Sequence, residues 1–467
     1  MQIPILSGIY ADTNSDFRTR YPRNMVPVPK KQGISNGYLR PSDGIISLND
    51  NIGGFDRNGV NWDGVHYRVI GQSLNIVAAD GGLGSVGTIP GSDRAVFTQS
   101  FDLLAICASQ NLYYYDGNSI IQVTDPDLGD ANDVVWIDGY FITTDGENIV
   151  VTELSDPTMV NPTKYGSSEV DPDPVVSLLK IRNELAALNR FTIEFFSNVG
   201  GTGFPFQRIE GAQVSRGVVG RDACVEYNDT IIFVGGARNE AISVWIGVNG
   251  GSTKIATREI DQLLKSYTET ELATAIVEER IYDAHAFIYI HLPNETVVYD
   301  FNASAVVGSP VWHTLTSGLE ETGRYNAINF VYVYNRWHCA HPTEKKIGYL
   351  SNTLQSQYGE KVGWAIETLM IYNEGKGAVL NELELITLTG NSKFGDSPTV
   401  AMQYSLDGID FTMPRFISSG RTGQRDKRIA WRRNGHMRRY RTQRFFGDSD
   451  CFISIAALEA QIEPLAW

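Results

Sequence analysis

The stretch VVWIDGYFITTDGENIVVTEL, residues 134–154, decides the fold class. Asp138-Gly139 and Asp145-Gly146 each separate runs rich in β-branched and aromatic residues. Asp-Gly is a dipeptide that tight β-hairpin turns prefer, so the stretch predicts three short antiparallel strands. Similar units recur along the chain, namely LYYYDGNSIIQVT (112–124), ACVEYNDTIIFVGGARNEAISVWIGVN (223–249), HAFIYIHLPNETVVYDF (285–301) and INFVYVYNRWHCAHPTEKKIGYL (328–350). A repeat of roughly 35–50 residues corresponds to one four-stranded blade, which predicts a predominantly all-β chain containing a β-propeller of about six blades.

The pattern divides the chain into three parts. Residues 1–45 hold five prolines and few strand signals, which predicts an extended N-terminal arm that wraps another surface. Residues 46–354 form the predicted propeller. In residues 355–467 strand-like runs resume with a different pattern, which predicts a separate antiparallel β-sandwich with a basic hairpin at 427–446.

One helical segment, residues 258–279, interrupts the propeller pattern. Ile260, Leu263, Leu264 and Tyr267 recur at spacings of three and four, as on one face of a helix. Thr268 followed by Glu271 fits a capping box that would begin a second short helix. The segment has more acidic than basic residues, so we expect a connector packed on the propeller and not a DNA-reading helix.

Charge is distributed unevenly. The 467-residue chain has a formal charge of −15, yet residues 415–444 contain eleven Lys or Arg and one acid, Asp426. This segment carries +10 and the remainder −25, which indicates a partner or neighbouring subunit of complementary charge.

Asn434-Gly435 predicts a two-residue hairpin turn within the basic segment. The turn would place Trp431 opposite Arg438 and Arg428 opposite Arg441, and like charges in register destabilise a hairpin. Something anionic should therefore cover that face, either nucleic acid phosphate or carboxylates of a neighbouring subunit. The predicted interface residues are Arg428, Arg432, Arg433, Arg438, Arg439, Arg441 and Arg444.

The acidic counterpart is the segment 125–173, with twelve Asp or Glu and a single Lys. It is either a set of solvated turns or a surface that must not hold polyanions. The predicted channel or interface residues are Asp125, Asp127, Asp130, Asp133, Asp171 and Asp173.

Motifs that would carry chemistry are incomplete. GLGSVG (82–87) matches a dinucleotide fingerprint, but Pro90 stands where the required helix should run, so we expect a loop. DPDLGDAND (125–133) departs from the EF-hand spacing, and HCAH (338–341) lacks two further zinc ligands nearby. We therefore predict no catalytic residues, no metal and no cofactor.

Four widely spaced cysteines indicate free thiols in a reducing compartment. The N-terminus does not resemble a secretory signal, and no apolar run is long enough to insert into a membrane.

Three blocks, at 20–45 (RYPRNMVPVPKKQGISNGYLRPSDGI), 259–301 and 404–446, resemble the packaged-DNA stabilisation, or head-completion, proteins of short-tailed, podovirus-type phages. The resemblance implies a non-enzymatic tail hub, or nozzle, that forms a hexameric ring on the adaptor (the head-to-tail connector) and closes the channel after packaging. It also implies a tail needle and tailspikes or fibres as partners, and double-stranded DNA that passes without specific binding. Assembly in the host cytoplasm and a place in the virion tail follow from the same resemblance.

Two alternatives remain open at the level of sequence. Tail-associated propellers can bind or cleave carbohydrate, although SLDGIDF (405–411) is a single incomplete Asp-box. The second alternative is direct DNA binding by residues 415–444, which predicts an affinity for DNA that falls steeply with salt concentration.

Overall fold

The computed structural model describes residues 2–3, 8–11, 17–30, 33, 35–248, 250–374, 376–392 and 395–465, and its sheets are antiparallel throughout. Six strands precede the propeller blades. They are β1 (Gln2–Ile3), β2 (Gly8–Ala11), β3 (Phe17–Arg20), β4 (Met25–Pro29), β5 (Gly37–Pro41) and β6 (Gly44–Asn49). Only β6 belongs to the propeller, because β1, β4 and β5 pair within the C-terminal sandwich and β2 pairs with β3.

Seven sheets of four or five strands follow, within the part of the chain that the structure describes. Blade 1 is β7 (Asp56–Trp62), β8 (Val65–Ile70), β9 (Ser73–Val77) and β10 (Leu83–Thr88); blade 2 is β11 (Val96–Gln99), β12 (Leu104–Ala108), β13 (Asn111–Tyr115) and β14 (Ile120–Gln122); blade 3 is β15 (Val134–Ile137), β16 (Tyr140–Thr144), β17 (Asn148–Val151) and β18 (Gly166–Ser167); blade 4 is β19 (Val175–Ile181), β20 (Glu184–Asn189), β21 (Ile193–Asn198) and β22 (Phe206–Arg208).

The remaining three blades complete the ring. Blade 5 is β23 (Gly217–Val218), β24 (Cys224–Tyr227), β25 (Thr230–Gly236), β26 (Ser243–Val248) and β27 (Gly251–Lys254); blade 6 is β28 (Ile276–Tyr282), β29 (His285–His291), β30 (Thr296–Asp300) and β31 (Trp312–Leu315); blade 7 is β32 (Ile328–Val333), β33 (Arg336–Ala340) and β34 (Ile347–Ser351), with β6 as its outer strand.

The innermost strands contact one another in a closed circle, from β7 through β11, β15, β19, β24 and β28 to β32 and back to β7. The circle is locked because β6, which precedes blade 1, pairs with β34 of blade 7, with Ile45 opposite Leu350. The predicted β-propeller fold is thereby confirmed, with seven blades where about six were expected. The glycine-rich outer strand β10 explains part of the difference, since it lacks the alternating apolar pattern of a strand.

Strand β10 also corrects the interpretation of GLGSVG. The motif was expected to form a loop, but residues 83–88 pair with β9, with a register shift between Ser85 and Gly87. A Cβ atom on Gly87 would lie 2.7 Å from Cδ1 of Ile120 on the next blade. Gly87 therefore allows close packing between blades, and the motif forms part of an outer strand.

The helical segment is shorter than predicted. It contains α1 (Arg258–Lys265) and α2 (Glu269–Leu272), and β28 already begins at Ile276. Ile260 and Leu264 are buried as the spacing predicts, and the capping box between Thr268 and Glu271 is present. A third helix, α3 (Phe301–Val307), follows β30 and was not predicted.

The C-terminal domain is a two-sheet sandwich, as predicted. Its own strands are β35 (Gly363–Glu367), β36 (Ile371–Tyr372), β37 (Ala378–Thr387), β38 (Thr399–Ser405), β39 (Arg415–Ser418), β40 (Ile429–Arg432), β41 (His436–Met437), β42 (Tyr440–Asp448) and β43 (Ile455–Pro464). One sheet has the order β4-β5-β43-β37-β40, and the other β35-β42-β38-β39. Trp364, Trp431 and Phe445 are buried between them.

The predicted arm thus supplies strands to both domains, β4 and β5 to the sandwich and β6 to the propeller. Asn24 lies where these strands diverge, and its Nδ2 donates to the carbonyl of Gly363 at 2.7 Å. Arg20 Nη1 lies 3.0 Å from Glu367 Oε1 of β35. Glu321, in the connector between blades 6 and 7, accepts from both Arg20 and Arg444. These contacts fix the sandwich to the rim of blades 6 and 7.

A buried histidine pair lies where blade 7 meets blade 1. The rings of His66 and His338 are 4.8 Å apart, and both side chains are almost fully inaccessible. His66 Nε2 accepts from Arg68 Nε at 2.9 Å, so the ring must be neutral there. Burial lowers the pKa of His338 to about 4 and that of His66 further, and nearby Arg68 adds to both shifts.

This pair predicts acid sensitivity. Because the folded pKa values lie below the unfolded value of about 6.5, the unfolded chain binds more protons, and stability is lost as the pH falls from about 6.5 towards 4. We expect His338 alone to lower the free energy of unfolding by about 2 kcal/mol between pH 7 and pH 5. Urea denaturation at both pH values measures this. His338→Phe should reduce the pH dependence and His436→Gln, at an exposed position, should not; equal slopes in all three proteins would contradict the assignment.

Candidate functional site

The basic segment is not the hairpin that Asn434-Gly435 predicts. Strands β40 and β41 do not pair with each other within the described chain, because both pair with β37, with Leu383 opposite Trp431 and Val379 opposite His436. The predicted pairing of Arg428 with Arg441 is therefore wrong. The long strand β37 offers both segments a ladder and a buried face, which outweighs the local turn preference. After β41 the chain crosses to the other sheet, so Arg438 and Arg439 lie at a corner of the sandwich.

Two of the seven predicted arginines pair with carboxylates of the neighbouring strand β37. Arg428 Nη2 lies 3.0 Å from Glu382 and its Nε 2.7 Å from Glu384, while Arg432 Nε lies 3.1 Å from Glu382. Both glutamates belong to β37. Part of the anionic cover expected over the basic segment is thus supplied by the neighbouring strand.

Arg441 and Arg444 hold the fold together. The Arg441 guanidinium is fully buried 3.5 Å from the centroid of the Tyr404 ring and donates to the carbonyl of Asn434. Arg444 lies at the junction with the propeller, where it pairs with Glu321. Burial lowers the pKa of each to about 10. Neither side chain is available to a partner.

The other three, Arg433, Arg438 and Arg439, are exposed, and none forms an ion pair with a residue that the structure describes. Beside them lies the loop that joins β38 to β39. Arg415, at the end of this loop, donates to the carbonyl of Arg432 at 2.7 Å and to Asn434 Oδ1 at 2.9 Å, which holds the two elements together.

That loop carries an unusual amount of exposed apolar surface. Met413 is 89% exposed and Phe416 61%, and Leu406 and Ile409 are also exposed. Exposed apolar side chains gathered in one place commonly mark an interaction surface. The group is called the basic–apolar face and comprises Leu406, Ile409, Met413, Arg415, Phe416, Arg433, Arg438 and Arg439. Sequence reasoning missed its apolar half, although apolar residues flank the Asp407-Gly408 turn, where a solvated loop would be polar.

Of the six predicted acidic residues, three serve the fold. Asp125 caps a short 3₁₀ helix, Pro126–Leu128, and accepts from the amide of Val160 at 3.0 Å. Asp173 accepts from the amide of Phe191 at 2.6 Å. Asp133 is buried and accepts from Ser177 Oγ at 2.8 Å, and burial raises its pKa to about 6.

The other three are closer to solvent. Asp171 pairs with Arg238 at 3.1 Å, Asp130 is exposed and Asp127 is half-buried. The connectors that contain them, 123–133 and 168–174, each run from the outer strand of one blade to the inner strand of the next. They lie on the same side of the propeller as the 145–147 turn, because the amide of Val175 donates to the carbonyl of Gly146 at 3.0 Å.

This surface, on blades 2 to 4, is called the acidic face and comprises Asp127, Asp130, Glu147 and Glu169. The sandwich is attached at blades 6 and 7, so in a ring of seven blades the acidic face lies on the opposite rim. No group of three or more metal-ligating side chains occurs among the described residues. No described helix has the length and apolar character needed to cross a bilayer.

The propeller axis is closed by a charged network that the sequence did not reveal. Arg94, which precedes β11, lies 2.7 Å from Asp222, 3.0 Å from Glu278 and 2.9 Å from Asn329 Oδ1. These partners belong to blades 5, 6 and 7. Burial acts to raise the pKa of Asp222, but the guanidinium groups of Arg94 and Arg221 together outweigh it and lower that pKa.

Comparison with known proteins identifies the family. A family model described as bacteriophage P22 Gp10, beta-propeller, matches residues 1–355, and one described as bacteriophage P22 Gp10, beta-sandwich, matches residues 363–463. The chain belongs to the bacteriophage P22 Gp10 family. Tail hub protein gp10 of Salmonella phage P22 is 28% identical over 460 residues, which cover 94% of each chain. The resemblance noted in the sequence is confirmed, and membership supports a structural, non-enzymatic role in a phage tail.

Solved structures outside the family are similar in fold only. The Pan2 WD40 domain of Neurospora crassa covers 68% of this chain and 96% of its own at 10% identity and a TM-score of 0.41. BamB from Moraxella catarrhalis covers 75% and 97% at 11% identity and a TM-score of 0.40. Similarity this low carries no functional conclusion.

Proposed function

We propose that this protein is the tail hub of a short-tailed phage, and that copies of it form a ring that closes the portal–adaptor channel after genome packaging. The ring, expected to be hexameric, retains the packaged DNA and carries the tail needle and the spikes or fibres. The observation that carries the proposal is the family relationship, because it runs through both domains and covers nearly the whole of each chain.

The structure supports a role in transmitting mechanical load. Strands β4, β5 and β6 tie the N-terminal segment to both domains, and half-buried ion pairs of Arg94 join blade 2 to blades 5 and 6. A ring component must transmit force between its partners without unfolding, and a sandwich fixed to the propeller rim suits this. The acidic face suits either of two positions: one near DNA, since carboxylates repel phosphate, or one against a basic surface of a partner.

The proposal predicts little affinity for free duplex DNA. The basic segment contains ten arginines, of which Arg421, Arg425, Arg433, Arg438 and Arg439 are exposed and form no ion pair with a described residue. Even five phosphate contacts give a logarithmic salt slope of only about −4.5, and they would form on a chain of strongly negative net charge. Fluorescence anisotropy with a labelled duplex, at about 50 mM and about 200 mM salt, measures this affinity. A submicromolar complex at low salt that is lost steeply at high salt would favour direct DNA binding instead.

Attachment tests the assembly role. Purified chain is mixed with DNA-filled heads that carry the adaptor but lack their hub, and the mixture is separated on a sucrose gradient. We expect the chain to co-sediment with these heads and not with empty procapsids that lack the adaptor. A folded chain that remains at the top of the gradient in both cases would contradict the role.

A further inference from the structure

The basic–apolar face has the composition of a docking surface. Its guanidinium groups at Arg433, Arg438 and Arg439 lack a carboxylate partner among the described residues, in contrast to Arg428 and Arg432 a few residues earlier. A shallow groove between the edge strands β39 and β40 runs into it and is lined by Arg415 and Phe416. Exposed aromatic and Met side chains beside Arg are typical of interface centres.

The acidic face is the matching surface. Asp130, Glu147 and Glu169 are exposed, and none forms an ion pair with a described residue. Val170, next to Glu169, is 40% exposed and adds an apolar contact. The chain therefore carries complementary surfaces, one on the sandwich at blades 6 and 7 and the other on blades 2 to 4.

The positions of the two faces indicate that the docking partner is a second copy of this chain. Two faces on opposite rims of one propeller cannot meet within a chain, but they meet when copies are arranged head to tail. Such a heterologous contact closes into a ring when the rotation between copies is suitable. The separation of charge within the sequence, +10 over residues 415–444 and −25 over the rest, has the same consequence, since each copy carries both halves of the contact.

We propose that the basic–apolar face of one copy docks on the acidic face of the next copy, and that this contact forms the ring. The inference deepens the proposed function, because it names the surfaces through which the hub assembles. Arg438 and Arg439 reach Asp130 and Glu147 of the neighbouring copy, while Met413 and Phe416 cover Val170.

Engineered disulfides test this contact. Arg439→Cys and Glu147→Cys are combined in one chain, where the four native cysteines are buried and burial raises the pKa of each thiol. The matched control replaces Arg439→Cys with Arg425→Cys, an exposed arginine of the same segment outside the face. Both proteins are oxidised free in solution at high concentration and after addition to hub-less, DNA-filled heads, and are then run on non-reducing gels.

We expect a ladder of cross-linked copies up to the full ring in the Arg439/Glu147 protein, at least tenfold stronger than in the control. Attachment to heads with no ladder, or an equal ladder in the control, would overturn the inference and leave the hub role intact. A ladder in solution without attachment to heads would support the contact and count against the hub role. Neither attachment nor a ladder would overturn both.

Discussion

Reversing Arg438 and Arg439 to Glu is expected to abolish assembly onto the head while leaving the chain folded. Both side chains are exposed at the corner between β41 and β42, so their replacement costs the monomer little. At the interface each new carboxylate would face another, and disrupting close interfacial charge pairs costs about 2–5 kcal/mol, so attachment should fall by at least a factor of about 30. Co-sedimentation with hub-less heads measures the loss.

The matched control is Arg421→Glu with Arg425→Glu, which makes the same change of charge on exposed residues away from the face. It should attach normally. The variant Asp130→Lys with Glu147→Lys should fail alone but assemble when mixed with the Arg438/Arg439 variant, since each supplies one native face. Normal attachment of the Arg438/Arg439 variant, or failure of both variants and their mixture with an intact control, would contradict the contact.

Arg94→Met is expected to destabilise the propeller strongly. It would remove the cation shared by Asp222 and Glu278 and leave Asp222 only Arg221. Because Arg94 and Asp222 are half-buried, the loss should lie near the lower end of the about 3–5 kcal/mol that breaking a fully buried pair costs. Chemical denaturation at pH 7 measures the change in the free energy of unfolding. The penalty should shrink at lower pH, because protonation relieves a carboxylate that has lost its cation.

Two comparisons isolate the cause. Lys361→Met removes an ion pair with Asp450 at the surface and should change stability by less than about 0.5 kcal/mol. Combining Arg94→Met with Asp222→Asn and Glu278→Gln removes the uncompensated charge and should recover at least half of the loss. A small effect of Arg94→Met alone would mean that the network does not hold the blades together.

Local chemistry explains which parts of the fold could be predicted. The Asp138-Gly139 dipeptide forms the predicted turn, with both residues at positive φ. The capping box between Thr268 and Glu271 depends on residues only three positions apart, so the sequence predicts it. The hairpin predicted at Asn434-Gly435 does not form, because the flanking segments pair with a distant strand, β37. The same limit applies to β5 and β6, because they pair with β43 and β34, which lie far away along the chain.

The candidate site shows the same division. Composition revealed that charge is separated along the chain, but not which arginines form ion pairs within the fold. The partners of Arg428, Glu382 and Glu384, come from a strand some 45 residues earlier. Burial of Arg441 and Asp133 is likewise a tertiary property. The exposed apolar loop at 406–416 was hidden because an apolar residue in sequence is ordinarily a core residue.

The retention of packaged DNA tests the central claim most directly. Purified chain is added to DNA-filled heads that carry the adaptor and lack their hub, the particles are warmed, and nuclease-sensitive DNA is measured against heads without the chain and heads given the Arg438→Glu/Arg439→Glu variant. The account predicts that the wild-type chain keeps the DNA protected and that the variant does not. Release of DNA at the same rate with and without the folded wild-type chain, on heads whose adaptor is intact, would contradict it.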